Sequence, residues 1–143
     1  MFKTVVVGAD DSTTARNAVM IAVELTAVGG GTLHIVTAYR EKPYSGIGNV
    51  PQEFRYSSSS HSAQEVARAL AAMARSQGVE AAVHIAAGDA TEAIVKIARE
   101  VNADLIVVGN QGMKGVRRVL GSIPNSVAHS AQCSVLIAET GPV

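Results

Sequence analysis

Apolar and polar positions fall into two alternating kinds of block along this chain. Lys3-Thr-Val-Val-Val-Gly8 is a short β-branched run closed by glycine, with no polar residue between its valines. A strand wetted on one face alternates apolar with polar, so this run predicts a strand buried on both faces. Asp11-Ser-Thr-Thr14 offers helix caps to a segment in which Ala15, Ala18, Val19, Ala22, Val23 and Leu25 recur near helical spacing until Gly29-Gly-Gly31 ends it. Thr32 to Ala38 reads as a second strand, interrupted by His34. From His61 to Gln77, Ala63, Val66, Ala67, Leu70, Ala71 and Ala74 trace one face of a second helix, stopped by Gly78. Glu80 to Ala86 supplies a third strand. Asp89 is placed to cap a third helix, with Glu92 three residues on in the manner of a capping box and Ile94, Val95, Ile97, Ala98 and Val101 on the buried face. Asp104 to Gly109 and Ser134 to Ala138 are the fourth and fifth strands, with a short helix between them starting near Ser122 and Pro124.

Between Arg40 and Ser60 the periodicity lapses into Pro, Gly, Asn, Tyr and a run of four serines, Ser57 to Ser60, which predicts a long connection. Strands alternating with helices at these spacings predict a mostly parallel sheet covered on both faces, with right-handed crossovers. At 143 residues the chain is expected to form a single domain, 1–143. Ligands of such sheets sit beyond the carboxyl ends of the strands, where strand order reverses. Two strand ends carry unusual chemistry: Gly8-Ala-Asp10-Asp11-Ser12 and Gly109-Asn-Gln-Gly112.

Composition narrows the function classes. Twelve basic and twelve acidic residues cancel, and three tyrosines, two phenylalanines and no tryptophan provide few stacking platforms, so nucleic acid is not expected as a partner. No run is apolar for the ~18 residues a membrane helix needs, and the N-terminal segment lacks the core and cleavage site of a secretory signal. No membrane association and a cytoplasmic location are the expectations. Cys133, the sole cysteine, has no cysteine partner for a disulfide or metal cluster, and reads as a small apolar residue beside a strand. His34, His61, His84 and His129 lie in separate elements without a metal-ligand spacing, so no metal site is expected from them.

The stretch from Gly109 to Ser122 follows a buried strand and runs into a helix start. Glycines let a phosphate chain approach the backbone closely, and the helix start adds unpaired N–H groups and a positive dipole end. Ser122 can cap that helix and reach a phosphate oxygen. The Walker pattern GxxxxGK followed by Ser or Thr is absent, and Gly8-Ala-Asp10 does not open a GxGxxG motif. Asp10, ending the first strand, is placed to accept hydrogen bonds from ribose or adenine or to face a phosphate-bound metal, while Asp11 or Ser12 caps the first helix. Lys114, Arg117 and Arg118 either neutralise phosphate charge or form a solvated loop surface. Gln111 is the loop's one candidate for positioning water, and no GxSxG elbow exists, so no catalytic residue is assigned.

With Gly109, Gly112, Gly121 and Ser122 in place, together with Val5-Val-Val-Gly-Ala-Asp10, Leu33-His-Ile35, Gly88 and Cys133-Ser-Val-Leu-Ile137, the chain resembles the universal stress protein family, in its ATP-binding branch. That family's pattern is G-x2-G-x9-G followed by Ser, Thr or Asn; here eight residues, Met113 to Leu120, separate the last two glycines. The resemblance implies an α/β Rossmann-like fold with a five-stranded parallel sheet in the order 3-2-1-4-5 and helices on both faces. It places Asp10 and Ile35 at the adenine and ribose, with Val108 and Ala9 as apolar neighbours and Gly109 at the ribose. Gly112, Gly121, Ser122 and Ile123 would hold phosphates through backbone groups and the Ser122 hydroxyl, with Mg2+ or Mn2+ on the phosphate oxygens. The implied function is a stress-response or signalling module that binds ATP with slow or no hydrolysis. The shortened loop leaves an AMP- or cyclic-AMP-selective module as an alternative, and a homodimeric interaction protein without nucleotide as another. In that strand order Ser134 to Ala138 lies at a sheet edge, which together with the resemblance predicts a homodimer through the last strand.

Overall fold

A computed structural model describes residues 1–10, 13–39, 52–110 and 123–140. Among the described residues five strands and four helices alternate: β1 (Thr4–Gly8), α1 (Thr13–Gly29), β2 (Thr32–Tyr39), α2 (Gln52–Ser76), β3 (Glu80–Ala87), α3 (Ala90–Glu100), β4 (Leu105–Gly109), α4 (Ile123–Ser130) and β5 (Ser134–Ala138). All strand pairs are parallel, in the order β3-β2-β1-β4-β5. This is the α/β sheet and the strand order expected.

The three valines of β1 show why the sheet is covered on both sides. Val5, Val6 and Val7 are each 0% exposed, although successive strand residues point to opposite faces. Val5 and Val7 join Leu33, Ile35, Leu105 and Val107 in a cluster with Ala18, Val19 and Ala22 of α1 and Leu70, Ala71 and Ala74 of α2. Val6 joins Val36, Ile106 and Val108 in a second cluster with Ile94 and Ala98 of α3 and Val127 of α4. The short side chains of the helices, alanine above all, let them lie close on a sheet of branched residues.

The ends of α1, α2 and α3 follow one device. After α1, Gly31 N–H donates to Thr26 O and Gly30 N–H to Ala27 O, both at 3.1 Å, with Gly30 at φ 65. This is the Schellman arrangement, whose left-handed residue costs glycine least. After α2, Gly78 at φ 82 repeats it, and after α3 Asn102 does so at φ 54 with Ala103 N–H on Ala98 O at 2.8 Å. At the other end of α3, Asp89 accepts from Glu92 N–H at 2.9 Å, the cap expected there.

One expectation needs correction. The connection read from Arg40 to Ser60 extends too far, because α2 begins at Gln52 and includes the four serines. Between Pro51 and Gly78 the chain holds neither proline nor glycine, and serine is only a middling helix former rather than a breaker. Apolar spacing could not reveal this first part of the helix, because Ser57 to Ser60 supply no apolar residue to count. The rest of that connection lies outside the described residues. Among the described residues no helix is long and apolar enough to cross a membrane.

Candidate functional site

The chain adds β2 and β3 on one side of β1, then places β4 and β5 on the other, so strand order reverses between β1 and β4. At such a reversal the two crossovers leave in opposite directions and open a crevice at the carboxyl ends. The register Val7↔Val107 sets segments 8–10 and 108–110 side by side at that crevice.

On the β1 side, Ala9 N–H donates to Val36 O at 3.0 Å, which carries the ladder to the residue before Asp10. Asp10 itself is exposed. On the β4 side, Asn110 N–H donates to Ala138 O at 2.9 Å. The Asn110 side-chain Oδ1 accepts from Thr140 N–H at 3.1 Å and from the Thr140 hydroxyl at 3.4 Å, while Thr140 O accepts from Asn17 Nδ2 of α1 at 3.3 Å. Thr140, just beyond β5, is thus clasped across the carboxyl end of β4 and is only 4% exposed. A Cβ on Gly109 would lie 2.9 Å from Thr140 Oγ1 and 3.4 Å from its Cγ2. Glycine at 109 is therefore explained by the close approach of Thr140; its backbone is not among those with positive φ.

These elements, in this order, match the family model of universal stress proteins over residues 1–139. The chain belongs to the universal stress protein family. Universal stress protein A homolog 1 of Coxiella burnetii is 28% identical over 138 residues, covering 94% of each chain. Among solved structures, a universal stress protein in complex with cAMP is similar at 30% identity and a TM-score of 0.79, over 98% of this chain and 99% of that one. The universal stress protein of Archaeoglobus fulgidus in complex with dAMP shares the fold, with a TM-score of 0.69 at 24% identity over 94% of this chain and 96% of that one.

Of the residues that the universal stress protein resemblance assigns to a site, Gly112, Gly121 and Ser122 lie outside the described residues, as do Asp11, Ser12, Gln111, Lys114, Arg117 and Arg118. Ala9, Asp10, Val108 and Gly109 are brought together at the carboxyl ends of β1 and β4. Ile35 and Val108 are 0% and 3% exposed, their side chains in opposite core clusters, so only their main chains are available to a ligand. Ile123 opens α4 and is 46% exposed, with Pro124 buried behind it in the first turn. Among the described residues no group of three or more His, Cys, Asp or Glu could hold a metal ion.

Three features escaped the sequence reading. Asn110 and Thr140 form the clasp, and they are 30 residues apart. Thr37 Oγ1, on a residue 3% exposed near the end of β2, has no hydrogen-bond partner among the described residues. Its only sequence signal is a polar residue at the third of the same-face positions Leu33, Ile35 and Thr37. Finally, His34 Nδ1 and His84 Nε2 lie 2.9 Å apart on β2 and β3, one imidazole N–H donating to the other ring. Burial lowers both pKa values; the neighbouring His84 lowers that of His34 further, and Glu100 opposes the shift at His84. Cys133 is half-buried, and burial, aided by the Asp104 carboxylate, pushes its thiol pKa up, as suits a packing residue.

Proposed function

We propose that this universal stress protein binds an adenine nucleotide in the crevice between the carboxyl ends of β1 and β4, with ATP as its ligand. The observation that carries the reading is the junction of Asp10 and Gly109 at the strand-order reversal, from which the sequence G-x2-G-x8-G-S departs toward the start of α4. Asp10 accepts from the ribose or base, Ala9 offers an apolar neighbour, Ile35 and Val108 offer main chain, and Gly109 meets the ribose. Gly112, Gly121, Ser122 and Ile123 take the phosphates at the helix start. Mg2+ would enter on the phosphate oxygens and water, since the described side chains supply no cage for it. With no general base assigned beside the phosphates, the module turns ATP over slowly or not at all.

A second reading is AMP or cyclic AMP. It is favoured by the loop, one residue shorter than the family's pattern, and by the 30% identical universal stress protein whose structure is a complex with cAMP. Mass spectrometry of nucleotide released from the purified protein, followed by competition of ATP against cyclic AMP, separates the two. Release of no nucleotide, with no binding of either on titration, refutes both readings and leaves an interaction protein.

Among the described residues the outer edge of β5 has no partner strand, and Leu136 of β5 is 37% exposed. The clasp directs Glu139 and Thr140 inward over β4, rather than along that edge. Both features support the homodimer through 134–138, in which a two-fold axis closes the edge. The paired substitution Val135→Lys and Ile137→Lys should convert the dimer to monomer on light scattering; a wild-type chain already monomeric at tens of micromolar refutes it.

A further inference from the structure

Three polar side chains are buried in the described structure: Thr26, Thr37 and Thr140. Thr26 Oγ1 donates to Ala22 O at 2.7 Å, and Thr140 Oγ1 to Asn110 Oδ1 at 3.4 Å. Thr37 Oγ1 has no such partner among the described residues. A buried hydroxyl without a hydrogen bond is costly, and valine would fill the same space without that cost. The hydroxyl therefore needs a reason that the described residues do not supply.

Its position suggests one. Thr37 stands opposite Ile85 of β3, and the register Gly8↔Val36 puts it level with Ala9. Leu33 and Ile35 face the α1 and α2 side of the sheet, so strand alternation turns Thr37 to the same side, one step nearer the carboxyl end. Strands in a sheet lie about 4.8 Å apart, so β2 is two spacings, roughly 10 Å, from β4, where the phosphate-binding loop begins. A mononucleotide anchored by its phosphates at β4 and crossing over β1 brings its base to β2.

We propose that Thr37 Oγ1 is a recognition group for the adenosine half of the bound nucleotide, taking from the base the hydrogen bond that the described residues do not give it. The inference rests on the nucleotide reading above and adds to it a specificity-determining side chain. Because a hydroxyl both donates and accepts, it can meet an exocyclic amino group or a ring nitrogen.

The test uses the full chain, wild type and the variants Thr37→Val and Thr37→Ser, with calorimetric titration of adenosine and AMP and a thermal melt without ligand. Thr37→Val should melt at or above the wild-type temperature, having lost only an unpaired hydroxyl, yet bind both ligands about five- to tenfold more weakly. Thr37→Ser, which keeps the hydroxyl, should bind within about twofold of wild type. The proposal is overturned if Thr37→Val binds within twofold, if its loss is confined to AMP, or if it melts lower than wild type. Failure of the wild-type chain to bind either ligand overturns the nucleotide reading itself, and this inference with it.

Discussion

Replacing Gly109 with alanine puts a methyl group 2.9 Å from Thr140 Oγ1 and 3.4 Å from its Cγ2, and Thr140 must move. Its hydroxyl hydrogen bond to Asn110 is long, at 3.4 Å, and contributes little, but the 3.1 Å bond from its N–H and the 3.3 Å bond from Asn17 to its carbonyl depend on the same placement. Losing or stretching two such bonds costs about 1–3 kcal/mol at the usual ~0.5–1.5 kcal/mol each. Alanine recovers about 0.4–1 kcal/mol by restricting the unfolded chain. The net expectation is ~1–2 kcal/mol of destabilisation, or about 3–7 °C in Tm for a chain of this size. A double-mutant cycle isolates the cause. In a Thr140→Ala background both clashing atoms are gone and the remaining approach, 3.7 Å to Cβ, is ordinary contact, so Gly109→Ala should there be close to neutral. Urea denaturation of the four proteins measures the coupling. Strict additivity, with Gly109→Ala costing the same in both backgrounds, would refute the clasp as the reason for this glycine.

Protonation of the His34–His84 pair should weaken the fold. Both folded pKa values lie below the ordinary 6.5, so the unfolded chain binds more protons; stability is full above about pH 6.5 and falls as the pH drops from there through the folded values. Denaturant midpoints at pH 5.5 and 7.5 should differ in that direction, and the difference should shrink when both histidines become glutamine; an unchanged difference contradicts the assignment. Asp10→Ala should weaken ATP, ADP and AMP by similar factors, ~1–3 kcal/mol on titration, because adenosine is common to all three. A loss restricted to ATP moves Asp10 to the metal and phosphates. Gly112→Val or Gly121→Val should abolish nucleotide binding while leaving circular dichroism unchanged, and binding of ATP within threefold by both variants removes the loop from the site.

β1, β4 and β5 were legible because each is a short run rich in branched apolar residues, too short and too apolar for anything but a buried parallel strand; β5 was read with its observed bounds, and β1 and β4 within a residue. Their order was not in the pattern at all and came from the resemblance carried by Gly109, Gly112, Gly121 and Ser122. The beginning of α2 was hidden by serines that carry no apolar signal. At the candidate site, Asp10 and Gly109 could be placed from their positions at strand ends. The clasp could not, since Asn110 and Thr140 meet only after β4 and β5 have paired. The histidine pair had the same obstacle: His34 meets His84 only in the β2–β3 register, which sets Val36 against His84. Thr37 escaped because a β-branched threonine does not interrupt a strand pattern, and periodicity alone does not say whether its hydroxyl finds a partner.

The central strand of the sheet is also the first to be made. During synthesis β1 can acquire β2 and β3 as soon as residues up to Ala87 have emerged, but its other edge is completed by β4, which ends at Gly109. At ~5–20 residues per second the nascent chain spends one to a few seconds with the backbone of Val5, Val6 and Val7 unpaired on that side. Asp104 meets this edge just ahead of β4: its carboxylate accepts from Lys3 N–H at 2.9 Å and Thr4 N–H at 3.2 Å, binding the start of β1 from about 100 residues away. The half-built sheet thus presents its most apolar strand as an open edge, and the order of translation makes β4 the element that ends that exposure.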